Sequence, residues 1–218
     1  MVGKQKDRLG IDMRVSSTGT KNWLESLEAI LVFVLPLLSA IPLHVMGVLS
    51  EVSGNYVTYA IYITCSIALT KYNGRALREI GLTLKGLLPS LGLSGVTVLA
   101  SFLVRLISAE LQFSPEANSG VAVAQGLLFW TVSGFGQEVL FRGLVFFSFY
   151  RWKGWKTALL VSSVLFGLMH VSQGIAGIVF TILIGGYWGW VAFKTKNTIG
   201  TSIAHSLFNF FFTFLFVS

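Results

Sequence analysis

The chain has 218 residues, of which 54% are hydrophobic and only 11% charged, and it carries a formal net charge of +7. Soluble domains hold roughly 25% charged residues, so this composition excludes an ordinary soluble enzyme and describes a polytopic membrane protein. The basic residues flank apolar segments, which points to anionic headgroups and a positive-inside bias and argues against a nucleic-acid partner.

Residues 1–23 form a polar, basic arm without the apolar stretch of a signal peptide, and residues 24–218 read as one transmembrane helical domain. Its apolar segments are 24–49, 56–70, 87–111, 120–150, 155–171, 175–193 and 199–217, each near the ~20 residues that a helix needs to cross a bilayer. The expected fold class is therefore all-α, a polytopic integral membrane bundle of about seven transmembrane helices. Basic turns (Lys71, Arg75, Arg78 and Lys85; Arg151, Lys153 and Lys156; Lys194 and Lys196) alternate with acidic or neutral ones. That alternation predicts an N-terminus inside and a C-terminus outside, in the cell membrane if the chain is prokaryotic.

Pro36 and Pro42 predict kinks in the first span. Cys65 is the single cysteine, which rules out an intrachain disulfide and a cysteine-based metal site and leaves a small packing residue. Between spans two and three, GRALREIGLTLKG (74–86) places Leu77, Ile80, Leu84 and Leu87 on one face and predicts a short amphipathic helix on the inner surface. The fourth segment would measure about 45 Å as one helix. It is expected either to protrude on the inner side or to break near Gly134 and Gly136.

Polar residues inside apolar segments carry the functional reading, because ionisable groups at membrane depth are costly and mark sites. Glu138 and Arg142 stand four apart with the acid N-terminal, the favourable order for an ion pair. Gln137 points about 100° away around the same helix. His170 closes the fifth span, and His205 and Asn209 share one face of the seventh. Gln137 lies 14 residues before Arg151 and His170 lies 14 after Lys156, so an antiparallel hairpin brings them to one depth. His205, nine residues past Lys196, reaches about 14 Å from the same boundary. The three positions are predicted to meet in the inner half of the membrane, with the turn at 172–174 buried and its backbone facing protein or water. His44, beside Pro42, has no partner pattern and reads as structural. The glycines Gly185, Gly186 and Gly189 read as close helix packing. No GxSxG, HExxH, P-loop or dinucleotide fingerprint is present, which leaves serine hydrolase, zincin and nucleotide enzyme without support.

The motifs Gln137-Glu138-Val139-Leu140-Phe141-Arg142, Phe166-Gly167-Leu168-Met169-His170 and His205-Ser206-Leu207-Phe208-Asn209 resemble the EExxxR, FxxxH and HxxxN set of the CAAX protease and bacteriocin-processing family. The type II CAAX prenyl endopeptidase branch of these intramembrane proteases is the most similar. The resemblance implies that the first glutamate is the general base that activates water, and that His170, His205 and Asn209 line the site. It also implies that Glu138 and Arg142 are the second acid and the arginine, and that a prenylated CAAX-type or other peptide enters from the inner leaflet. A divalent metal such as zinc, on His170 and His205, is one implied cofactor; a glutamate-activated water without metal is the other reading. Gln137 stands where the base should be, and an amide cannot take a proton from water. The loss should cost about 10²–10⁴ in rate, so the chain is expected to be inactive or impaired. A Glu→Gln change made to trap the enzyme and a natural member with altered catalysis both fit; the intact remainder of the motifs favours the first. The alternative is a non-catalytic membrane binding, scaffold or immunity protein of the same fold. A transporter with a midplane site would show inverted repeats, and none is visible.

Overall fold

A computed structural model describes residues 19–108 and 111–217. Residues 1–18 of the basic arm lie outside the described residues, and the rest of the arm opens the first helix. Each apolar segment becomes helical. The helices are α1 (Gly19–Val45), α2 (Glu51–Tyr72), α3 (Leu87–Ile107), α4 (Gly120–Glu138), α5 (Phe146–Lys153), α6 (Trp155–Leu168), α7 (Gly174–Thr195) and α8 (Ile199–Asn209). α1 runs through both Pro36 and Pro42. The only strands among the described residues are β1 (Gln112–Phe113) and β2 (Phe216–Val217), which pair antiparallel and tie the C-terminal end to the α3–α4 connection. Three described stretches are long and apolar enough to cross a membrane, Lys21–Val45, Leu87–Ile107 and Val171–Thr195, and Trp155–Leu168 and Ile199–Leu215 are shorter apolar helices. The all-helical class holds, while seven full crossings stay an expectation.

The radial pattern is that of a bundle in lipid. Leu38, Leu88, Leu99, Leu160 and Leu183 are exposed on the outside, whereas Ser66, Ser90, Ser94, Ser133, Ser162 and Ser202 are buried between helices. Lipid tails are as apolar as leucine, so helices associate through small residues and interhelical hydrogen bonds. Ser94 donates to the Gly200 carbonyl at 3.2 Å and Ser90 to the Asn197 carbonyl at 3.1 Å, which pins α3 to the start of α8. Cys65 is half-buried against the apolar core, as a packing residue.

Two expectations need correction. Residues 74–86 do not form an amphipathic surface helix. They hold one 3-10 turn, Leu77–Ile80, whose Ile80 is fully buried. Gly81 and Gly86 adopt φ of +78° and +75°, a backbone that ends any helix there and that other residues rarely accept. The segment clamps α8 instead: Asn197 Nδ2 donates to the Thr83 and Lys85 carbonyls at 2.5 and 3.1 Å, and the Thr198 amide donates to the Gly81 carbonyl at 3.0 Å. The fourth segment neither breaks at its glycines nor stays α-helical. It passes from α4 through a π-helical stretch, Val139–Val145, into α5. Gly134 and Gly136 are instead contact points, where an added Cβ would lie 2.5 Å from Ser206 Oγ and 2.9 Å from Tyr59 Cβ. The π stretch disturbs the backbone ladder, and Ser162 donates to the Phe141 carbonyl there at 2.8 Å.

An ion cluster that hydropathy alone did not reveal closes the basic end. Glu25 on α1 accepts from Arg75 Nε and Nη2, both at 2.8 Å, and pairs with Arg151 Nη2 at 3.1 Å. Glu79 adds a contact to Arg75 at 3.3 Å, and Asn22 donates to the Arg151 carbonyl at 3.3 Å. Burial disfavours the Arg75 charge, but Glu25 and Glu79 outweigh that cost and raise its pKa above the ordinary value.

Candidate active site

The site is built on the α4–π junction, the end of α6, the middle of α7 and the second half of α8. Glu138, the last residue of α4, is fully buried, and so is Arg142 in the π stretch. Arg142 Nη1 lies 3.1 Å from Glu138 Oε1, so the expected pair forms. The contact is charge against charge: none of the three guanidinium nitrogens makes an aligned hydrogen bond among the described residues. The cation lies instead over the Phe166 ring, 4.1 Å from its centroid, with Trp188 at 5.8 Å and Phe141 at 6.0 Å. Gly185 makes that seat possible, because a Cβ there would lie 3.0 Å from Arg142 Nη2 and 2.9 Å from Phe166. The α7 glycine read as plain helix packing thus borders the site.

His205, buried on α8, donates from Nδ1 to Glu138 Oε1 at 3.0 Å. A carboxylate that also faces Arg142 can only accept, and this fixes the tautomer. His170 donates from Nδ1 to the Phe166 carbonyl at 2.8 Å. Both rings are therefore oriented through Nδ1, and Nε2 is left as the basic nitrogen of each. The Phe166 ring separates them, 4.8 Å from the His170 ring and 5.6 Å from that of His205. Trp188 covers the other side of His205 at 4.6 Å.

His170, His205 and Asn209 line one cavity of about 560 Å³ together with Phe166, Trp188 and Thr181. Gln137 does not. Its Nε2 donates to Ser133 Oγ at 3.0 Å, it lies beside Tyr59, and its buried Oε1 makes no aligned hydrogen bond among the described residues. The structure thus brings together His170, His205 and Asn209, with Glu138 and Arg142 behind His205, and turns Gln137 toward α2. It places His44 apart: that ring is exposed and bonds the Leu49 carbonyl at 3.1 Å.

His205 stands about 10 Å along α8, and from there the cavity reaches Arg105 near the end of α3, Gln173 at the start of α7 and Thr213 beyond α8. The turn at 172–174, expected to be buried, is exposed: it holds the 3-10 turn Val171–Gln173, and Gln173 also lines the cavity. As for metal, no group of three metal-ligating side chains comes together among the described residues. Two imidazole nitrogens and an amide do not make a closed zinc site, so the donor set does not fit a zinc held on His170 and His205.

Arg105 is the site residue that the sequence reading passed over. A cation inside the apolar run 87–111 is a signal of the same kind as those that were followed.

Residues 119–211, which hold all three motifs, match the family model described as type II CAAX prenyl endopeptidase Rce1-like. The resemblance read from the motifs thus extends over the π stretch and most of the cavity wall. No curated protein and no solved structure matches the chain.

Proposed function

We propose that the chain is a membrane-embedded endopeptidase that removes a short C-terminal tail from a lipid-modified, CAAX-type peptide, and that glutamine at position 137 holds it in a slow form. The observation that carries this reading is the buried Arg142–Glu138–His205 relay, which ends on a cavity that also presents His170 and Asn209. Such a chain has the parts of acyl-transfer chemistry. Glu138 holds His205 in one tautomer and favours the imidazolium that forms when Nε2 takes a proton from water. Arg142 keeps Glu138 ionised, and the aromatic rings around Arg142 compensate its unpaired donors. The Asn209 amide, on the cavity wall, would donate to a developing oxyanion. The scissile carbonyl would sit between these groups, and His205 would return its proton to the departing amine.

The family pattern puts the stronger base at position 137. An amide there leaves only the neutral imidazoles, and residual cleavage should depend on His205. Gln137→Glu should raise the rate by about 10²–10⁴, measured by mass spectrometry on a prenylated tail peptide.

One observation favours a second reading, a non-catalytic binding protein of the same fold. Gln137 is turned to Ser133 and Tyr59 and does not line the cavity. On that reading Gln137→Glu adds no cleavage, while His205→Ala still impairs peptide binding.

A further inference from the structure

We propose that Arg105 reads the free C-terminal carboxylate of the bound tail and thereby makes the cavity specific for peptide ends; this rests on the reading of the cavity as a peptide site. Arg105 stands on the last turns of α3, which present Ala100, Ser101, Val104 and Arg105 to the cavity. Among the described residues it is the only lysine, arginine or carboxylate residue that lines the cavity. Its Nη1 is buried with no hydrogen-bond partner among the described residues, and its guanidinium carbon lies 5.4 Å from the centroid of the Phe212 ring. Arg105 is half-buried, and a guanidinium nitrogen kept from water with its donor unused is costly, a cost that a bidentate anion removes. The neighbours Ser101, Gln173 and Thr213 supply neutral polar groups suited to a peptide end.

Distance along the fold supports the assignment. Phe212, beneath Arg105, lies seven residues beyond His205 on the same continuous helical run. That is about 10 Å along the axis. An extended peptide advances about 3.3 Å per residue, so roughly three residues span the interval. A tail whose scissile carbonyl sits at His205 therefore brings its terminal carboxylate to Arg105. Internal peptide bonds, or ends blocked as amides, would leave Arg105 unpaired and be disfavoured for that reason.

The same cation could serve a lipid phosphate at the end of α3, and the test separates the two sources. Prenylated tail peptides, as free acid and as C-terminal amide, are bound to the unaltered chain in nanodiscs of neutral lipid. The acid should bind about tenfold or more tighter. Arg105→Gln should bring the acid to the affinity of the amide and leave the amide unchanged; Arg105→Lys should keep part of the preference. Adding phosphatidylglycerol should leave the preference in place. Equal binding of acid and amide overturns the proposal, as does a preference that survives Arg105→Gln or one that anionic lipid abolishes. If Arg105→Gln fails to fold by gel filtration, the acid-to-amide ratio of the unaltered chain and the Arg105→Lys variant decide. Binding is read without turnover. A lost preference with intact cleavage by Gln137→Glu sinks only the carboxylate reader, whereas a preference with no cleavage sinks the peptidase and keeps the reader. Failure of both peptides to bind overturns both.

Discussion

Glu138→Gln keeps the shape of the side chain and removes its charge, which strands Arg142. Both side chains are fully buried, at 0% exposure, and Arg142 has no other carboxylate partner among the described ion pairs. Breaking a buried pair from one side costs about 3–5 kcal/mol, because the remaining charge is left uncompensated. The cation–π contact with Phe166 at 4.1 Å persists in the variant and does not offset this. In a chain of this size the loss corresponds to a fall in melting temperature on the order of 10 °C. The assay is thermal unfolding in neutral detergent, followed by tryptophan fluorescence, to which the buried Trp188 beside His205 contributes. A double variant, Glu138→Leu with Arg142→Met, exchanges the pair for apolar groups of similar size. It should return to within about 1–2 kcal/mol of the parent, since buried pairs owe little of the fold's stability to their net attraction. Cleavage should stay lost, because His205 no longer has its acceptor. A single variant within about 0.5 kcal/mol of the parent, or a double variant no better than the single, would refute the reasoning.

Glu25→Ala leaves Arg75 and Arg151 facing each other at the basic end and should cost about 2–4 kcal/mol in the same unfolding assay. Gly134→Ala forces a Cβ to within 2.5 Å of Ser206 Oγ, and should cost about 1–3 kcal/mol while displacing α8 and slowing cleavage. Gly92→Ala, where a Cβ meets nothing within 4 Å, is the control and should stay neutral or gain up to about 1 kcal/mol. His44→Ala should leave stability within about 0.5 kcal/mol and leave cleavage unchanged, since its ring is exposed and far from the motif residues in sequence.

Hydropathy made the helices legible, because a span declares itself residue by residue. The pairs Glu138–Arg142 and His205–Asn209 were legible because a helix repeats every 3.6 residues. What failed to show was whatever depends on which helices meet. Gln137 and Glu138 are neighbours in sequence, and only the packing of α4 between α2 and α8 decides that Glu138 reaches His205 while Gln137 faces Ser133 and Tyr59. The amphipathic pattern of 74–86 was real, but its buried face carries one residue, Ile80, and the left-handed glycines stop a helix from forming around it. Glu25 lies within the first helix and finds its partners 50 and 126 residues away, a spacing that no local pattern encodes. Arg105 was visible as a charge in an apolar run, yet it had no helical partner to draw attention to it.

The central claim is that the Arg142–Glu138–His205 relay and its cavity cut peptides and that position 137 sets the rate. Its most direct test is cleavage of a prenylated CAAX peptide by the unaltered chain, by Gln137→Glu, and by Gln137→Glu with His205→Ala. The account predicts slow cleavage by the first, about 10²–10⁴ faster cleavage by the second, and loss of that gain in the third. No cleavage by any of the three, with peptide binding intact, would contradict it.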